Sequence, residues 1–144
     1  PSRRTRGVES YYLDNTTDEA TIRLAARENG TSRKNVSDLQ FILSDLTQSF
    51  KLEDSISLAH NLQSSLVSNM GRRYRNVKDL GVKKGLFYVL VGARMPSVLL
   101  EVFFVTNRHE GRSLAQRSFQ NAIVESLYRG IKRYLKSPAL TKNL

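Results

Sequence analysis

No cysteine occurs among the 144 residues, so neither disulfides nor thiolate chemistry is available, and the chain is compatible with a reducing or an oxidising compartment. No apolar run approaches the ~20 residues that span a bilayer, so no membrane span is expected. There is no HExxH motif, Walker loop, GxGxxG or GxSxG, which leaves no local signature for a zincin, a nucleotide-phosphate cradle or a nucleophile elbow. Ser97 sits in no elbow and has no histidine near it in sequence. Internal repeats, low-complexity tracts and interdomain linkers are also lacking. The chain opens at Pro1 with no charged-then-apolar leader, the pattern expected of a processed product or an excised fragment.

What is present is an ordinary globular composition of one-domain length, 40% hydrophobic, with 23 Lys and Arg against 13 acids and a net charge of +10. A basic surface of this size attracts polyanions, whether nucleic acid, anionic lipid or anionic cell wall. The charge is dispersed in small groups at Arg3, Arg4 and Arg6, at Arg72, Arg73 and Arg75, and at Lys132 and Arg133. That dispersal reads as a solvated surface or a loose attraction to wall polymer rather than a nucleic-acid groove. Tyr74, between Arg73 and Arg75, is the one aromatic flanked as a stacking platform would be.

Periodicity divides the chain into alternating elements. Gly7 to Leu13 reads as a strand with Val8, Ser10 and Tyr12 on one face and Glu9, Tyr11 and Leu13 on the other. Thr16 and Glu19 form a capping box and Asn29-Gly30 a stop, predicting a helix over Thr17 to Asn29. Leu39, Ile42, Leu43 and Leu46 line a second helix; after a break at Phe50-Lys51, Leu58, Ala59, Leu62 and Leu66 line a third that ends near Met70-Gly71. Leu86 to Val91 and Val98 to Val105 are near-continuous apolar runs, as in core strands covered on both faces. Asn107 and Glu110 read as the start of one long helix carrying Leu114, Phe119, Ile123, Leu127, Ile131 and Tyr134, with a frayed tail from Ser137. The order predicts an α/β fold with a mixed or mostly parallel sheet flanked by helices.

Glu101 interrupts the second apolar run, with apolar neighbours for three residues on either side. A carboxylate there is costly to bury unless paired, metal-bound or protonated. One reading is an exposed residue near a strand end, or one paired with Arg94. The other is a general acid or base whose pKa is raised by apolar surroundings. The chain has two histidines, His60 beside the apolar stripe of the third helix and His109 in a polar turn, and both read as surface or capping residues.

The stretch from Gly81 to Leu114 resembles the closing signature of the zinc-dependent N-acetylmuramoyl-L-alanine amidases. That pattern is an apolar strand, Pro-Ser-Val-Leu-Val-Glu, two or three apolar residues, Ser-Asn, and an acidic residue before the last helix. Here it reads Pro96, Ser97, Val98, Leu99, Leu100, Glu101, Val102, Phe103, Phe104, Val105, Thr106, Asn107, with Glu110 following. Upstream, Ser55 to Ala59 is similar to the family's Ser-x-x-Leu-Ala helix and Gly7 to Leu13 to its Gly-x-Glu-x-Tyr-x-Leu strand. Phe119-Gln120 and Gly130 to Tyr134 are similar to its terminal helix, so almost the whole chain takes part.

The resemblance implies that Glu101 is the catalytic glutamate, acting with a zinc-bound water on the amide between the muramyl lactyl group and L-alanine of peptidoglycan. It also implies that the zinc ligands, two histidines and a glutamate, belong to an N-terminal half that precedes Gly7. On this reading residues 1–144 form one incomplete catalytic domain, the N-terminal strands of the family fold are missing, and no metal is held by this chain. The three helices expected between Asp14 and Leu80 resemble a subgroup that trims septal wall in bacterial cell division. There a helix covers the zinc site until an activator protein displaces it. Glu19 and Glu28 on the first helix are the candidate autoinhibitory residues. A bacterial periplasmic or extracellular location follows, with peptidoglycan as substrate and no nucleic acid as partner. The alternative from another class is a noncatalytic basic module binding wall polymer or nucleic acid.

Overall fold

The computed structural model describes residues 5–36, 49–74 and 77–137. Three strands form one mixed sheet: β1 (Val8–Leu13), β2 (Asp79–Gly85) and β3 (Leu99–Val102), in the order β2-β1-β3. β1 is central, parallel to β2 and antiparallel to β3. Helix α1 (Glu19–Glu28) covers one face, while α2 (Ser49–Arg73) and α4 (Arg117–Leu135) cover the other, with the short α3 (Arg108–Leu114) leading into α4. The second predicted helix, around Leu39 to Leu46, lies outside the described residues.

The alternation of β1 decides which side chains meet which layer. Val8 is fully buried and packs with Leu66, Met70, Phe103, Phe119 and Ala122 on the α2/α4 side. Tyr11 points to the opposite face, where it packs with Ala25, Ala26, Val36, Leu86, Phe87 and Leu90. Ser10 donates to Gln63 Oε1 of α2 at 2.7 Å, which satisfies a buried hydroxyl on the face that Val8 shares.

Several boundaries differ from the sequence reading. Helix α1 is capped by Asp18, whose side chain accepts from the Thr21 N–H at 2.8 Å, and not by Thr16, whose Oγ1 instead accepts from the Asp18 N–H at 3.1 Å. The stop at Asn29-Gly30 is as expected: Gly30 takes φ +62°, and the Asn29 N–H closes on Ala25 O. No break occurs at Phe50-Lys51, where α2 is continuous. The long C-terminal helix is two helices, because the chain turns at Ala115 and Gln116 before α4 begins.

The largest correction concerns the apolar runs. Leu86 to Val91 is not a strand. Leu86 and Phe87 pass into the core just beyond β2, and residues Tyr88–Leu90 form a 3₁₀ turn that leaves Val89 75% exposed. The strand in this region is the more polar Asp79–Gly85, held because its backbone pairs with β1 and Lys83 reaches Glu9. The run from Val98 to Val105 yields a strand of four residues only, at the sheet edge, and Val105 is exposed. Phe103 ends it by adopting φ +62°, a left-handed conformation that is costly for a residue with a Cβ.

On the α2/α4 side, Gly130 permits the two helices to touch. A Cβ there would stand 3.0 Å from Leu62 Cα and 3.1 Å from Asn61 O. Beside it the buried Ser65 hydroxyl donates to the Ser126 carbonyl at 2.6 Å, so small residues close the seam and this hydroxyl is satisfied within it. His60 is exposed on α2, in keeping with its expected surface role.

Candidate functional site

Glu101 stands on β3 directly opposite Glu9 on β1, so both carboxylates leave the sheet on the face toward α1. Like charges opposed across strands repel, and the structure resolves the two differently. Glu9, 7% exposed, is bound by Lys83 Nζ at 2.6 Å. Glu101 has no ion pair among the described residues, so the expected alternative of a pairing with Arg94 is not formed; Arg94 is exposed. The same Glu9 and Lys83 lie against Tyr11, whose phenol is pushed well above its ordinary range by burial and then by the Glu9 charge.

Glu101 opens into a cleft of about 340 Å³ lined by Glu28 and Asn29 from the end of α1, Phe87, Tyr88 and Val89 from the 3₁₀ turn, and Leu99. Burial pushes the Glu101 carboxyl above its ordinary value; the charges of Glu28 and Glu9 push in the same direction, and Arg27 opposes them. The C-terminal end of α1, rather than its start, is therefore the part beside Glu101. Asn29 holds that end in place. Its side chain donates to Leu86 O at 2.8 Å and accepts from the Tyr88 N–H at 2.9 Å.

The sequence-derived candidates thus separate. Glu101 and Glu28 share a cleft, whereas Glu19 lies in the first turn of α1 among the exposed Arg23 and Arg33. Ser97 is a backbone anchor whose N–H donates to Ser55 Oγ at 3.1 Å. His109 lines a different cleft, of about 360 Å³, with Arg6, Tyr74 and Glu110. Tyr74 packs edge-on to Phe119 with ring centroids 4.5 Å apart, so its ring is committed to the core rather than offered for stacking. Phe87 and Phe103 are buried outside any strand and Tyr88 is exposed, which corrects their placement in core strands.

Three participants were missed from sequence: Glu9 as the partner opposite Glu101, Lys83 as its counter-charge, and Asn29 as the clamp on α1. The alternation of β1 had already put Glu9 on the face of Tyr11, and that was the available signal. Nothing local marked Lys83, because its role depends on strand pairing.

A zinc site needs three or four ligands in close array. Among the described residues no three His, Cys, Asp or Glu side chains come together in a way that could hold a metal. The donor set present does not fit the zinc that the family resemblance implies.

A mixed sheet between helical layers, with a desolvated carboxylate at the open edge strand, defines the class as an α/β protein with a carboxylate cleft. Residues 1–133 match the N-acetylmuramoyl-L-alanine amidase family, and the chain belongs to that family. It is 30% identical over 115 residues to N-acetylmuramoyl-L-alanine amidase LytC of Bacillus subtilis, covering 80% of this chain and 21% of LytC. Among solved structures, amidase AmiC2 of Nostoc punctiforme superposes with a TM-score of 0.61 at 24% identity, over 94% of this chain and 51% of that one. The CwlD amidase of Clostridioides difficile, solved in complex with the GerS lipoprotein, superposes with a TM-score of 0.59 at 20% identity, over 93% and 48%. The chain thus spans about half the length of these solved structures.

Proposed function

We propose that this chain is the C-terminal part of the catalytic domain of a peptidoglycan amidase, and that Glu101 is the residue that moves protons in cleavage of the bond between N-acetylmuramic acid and L-alanine. The observation that carries the reading is the state of Glu101: desolvated, without a counter-ion among the described residues, and open to a cleft. An acid held above its ordinary range is better matched to proton transfer near neutral pH than a free carboxylate. Glu101 would accept a proton as water adds to the carbonyl carbon and return it to the departing amine as the C–N bond breaks. Glu9 would keep Glu101 from acquiring a partner of its own, since it already holds Lys83.

Zinc, expected for the complete domain, would have its ligands beyond the described residues of this chain. The place of action is the bacterial cell envelope, where the substrate lies; no helix among the described residues is long and apolar enough to cross a membrane. The cell-division reading, in which α1 covers the site until a partner protein displaces it, rests on Glu28 facing Glu101 in the same cleft. Glu28 is the stronger candidate than Glu19 for the residue that restrains activity.

The test is Glu101→Gln in the complete enzyme, with release of peptide from muropeptides followed by chromatography. Turnover should fall by roughly 10²–10⁴-fold, the range that general acid-base catalysis supplies. Near-normal cleavage by a folded Glu101→Gln enzyme removes Glu101 from the chemistry.

A further inference from the structure

Glu110 lies in the first turn of α3, and the sequence reading gave it only a capping role. In the structure Asn107 caps the helix, accepting from the His109 and Glu110 N–H groups at 3.1 and 3.3 Å, so the Glu110 carboxylate is released for other work. Its two oxygens face two different strands. Oε1 accepts from the Gly7 N–H at 2.8 Å, just before β1 begins, and Oε2 accepts from the Phe104 N–H at 2.8 Å, two residues beyond the end of β3. Between these points the Phe103 N–H donates to Gly7 O at 2.9 Å.

Both anchored ends are conformationally unusual. Gly7 has φ +117°, and a Cβ on it would fall 2.2 Å from Lys78 O, so no other residue fits without moving β2. Phe103 carries φ +62° and is buried, the combination expected where surrounding contacts hold a backbone against its own preference. Glu101 is two residues before Phe103, on the strand whose register against β1 those contacts set.

We propose that Glu110 is a positioning residue for Glu101: by bridging the Gly7 and Phe104 amides it holds the left-handed turn that ends β3, and so keeps Glu101 opposite Glu9 in the cleft beside α1. The assignment builds on the proposed role of Glu101 but is tested apart from it. Burial pushes the Glu110 carboxyl upward, its two amide bonds and Arg6 oppose that shift, and each carboxyl oxygen is committed as the acceptor of one amide. Glutamine keeps one good acceptor oxygen and sets an NH₂ group against the second amide, which breaks one side of the bridge without changing its size.

Glu110→Gln and Glu110→Asp are therefore to be compared with Ser65→Ala, which removes a hydroxyl bond on the α2/α4 seam in which neither Glu110, Gly7 nor Phe104 takes part. Two measurements read the bridge directly in the complete enzyme: hydrogen exchange at the Phe104 amide, and the titration midpoint of the Glu101 carboxyl by carbon-detected NMR. The groups bearing on that midpoint are Glu9 on β1 and Glu28 and Arg27 on α1, all unchanged in these variants. Glu110→Gln should raise Phe104 exchange at least tenfold and bring the Glu101 midpoint down toward its ordinary value as water enters. It should also lower kcat about tenfold with KM unchanged. Glu110→Asp, too short to reach both amides at once, should show the same pattern, and Ser65→Ala should lower Tm alone. If Glu110→Gln lowers Tm but leaves both the Glu101 midpoint and kcat as in Ser65→Ala, Glu110 is scaffold and the assignment fails. If the midpoint moves while Glu101→Gln retains turnover, the positioning stands and the catalytic role of Glu101 is what falls.

Discussion

The two faces of the sheet are built from different materials. Toward α2 and α4 the contacts are Leu66, Met70, Phe119 and Ala122 against Val8, with Gly130 and Ser65 drawing the helices together. Among the described residues no acid is buried in that cluster. Toward α1 the buried part of the helix is Thr21, Ala25 and Ala26, small side chains that remove little apolar area from water, and the same face carries Glu9, Glu101 and the approach of Glu28. Burial stabilises in proportion to apolar area, so α1 itself adds little, and the apolar weight of its face comes from Tyr11, Val36, Leu86, Phe87 and Leu90. A helix seated on so little apolar area is expected to open before α2 does.

The contrast should be largest in the cores. Leu66→Ala, at a fully buried position, should cost about 2–5 kcal/mol in urea unfolding of the folded domain. Leu24→Ala on α1, only partly buried, should cost less than half as much. Equal losses would mean that the two faces contribute alike and that α1 is as firmly held as α2.

The next effect concerns how α1 is held. Asn29→Ala removes both bonds to the Leu86 carbonyl and the Tyr88 N–H, each worth roughly 0.5–1.5 kcal/mol net. Hydrogen exchange of the amides from Tyr88 to Val91 should quicken, while the α2/α4 seam keeps its protection. Uniform loss of protection would show that α1 and the seam open as one unit.

The smallest effect is on stability at the site itself, and its sign is unusual. A carboxyl raised above its ordinary value near 4.5 binds protons more readily folded than unfolded, so its ionisation opposes folding. Stability should therefore decline as pH climbs from about that value through the folded midpoint of Glu101. Glu101→Gln removes this decline: its Tm should equal that of the parent below pH 4.5 and exceed it at neutral pH. A variant less stable at neutral pH would mean that the Glu101 charge is compensated after all. A gain in Tm with a loss of turnover would be the familiar exchange of stability for function at an active site.

Much of this molecule was legible in its sequence because helix periodicity and strand alternation are local properties. The faces of β1, the buried stripe of α2 through Leu62 and Leu66, the Asn29-Gly30 stop and the Asn107 cap all follow from residues within a turn or two of one another. The isolated carboxylate of Glu101 was likewise visible as a charge in an apolar run, and the motifs around it placed the chain in its family. Tertiary structure decided the rest. Asp79–Gly85 is a strand only because β1 lies beside it, and the more apolar Leu86 to Val91 is not one, since Leu86, Phe87 and Leu90 bury themselves from a turn as readily as from a strand. Phe103 takes a left-handed conformation that its own preferences oppose, held there among Gly7 and Glu110 from distant parts of the chain. The meeting of Glu101 with Glu9 and Glu28, and the Glu110 bridge between Gly7 and Phe104, depend on strand register and helix placement, and contacts between residues far apart in sequence have no period from which they can be read.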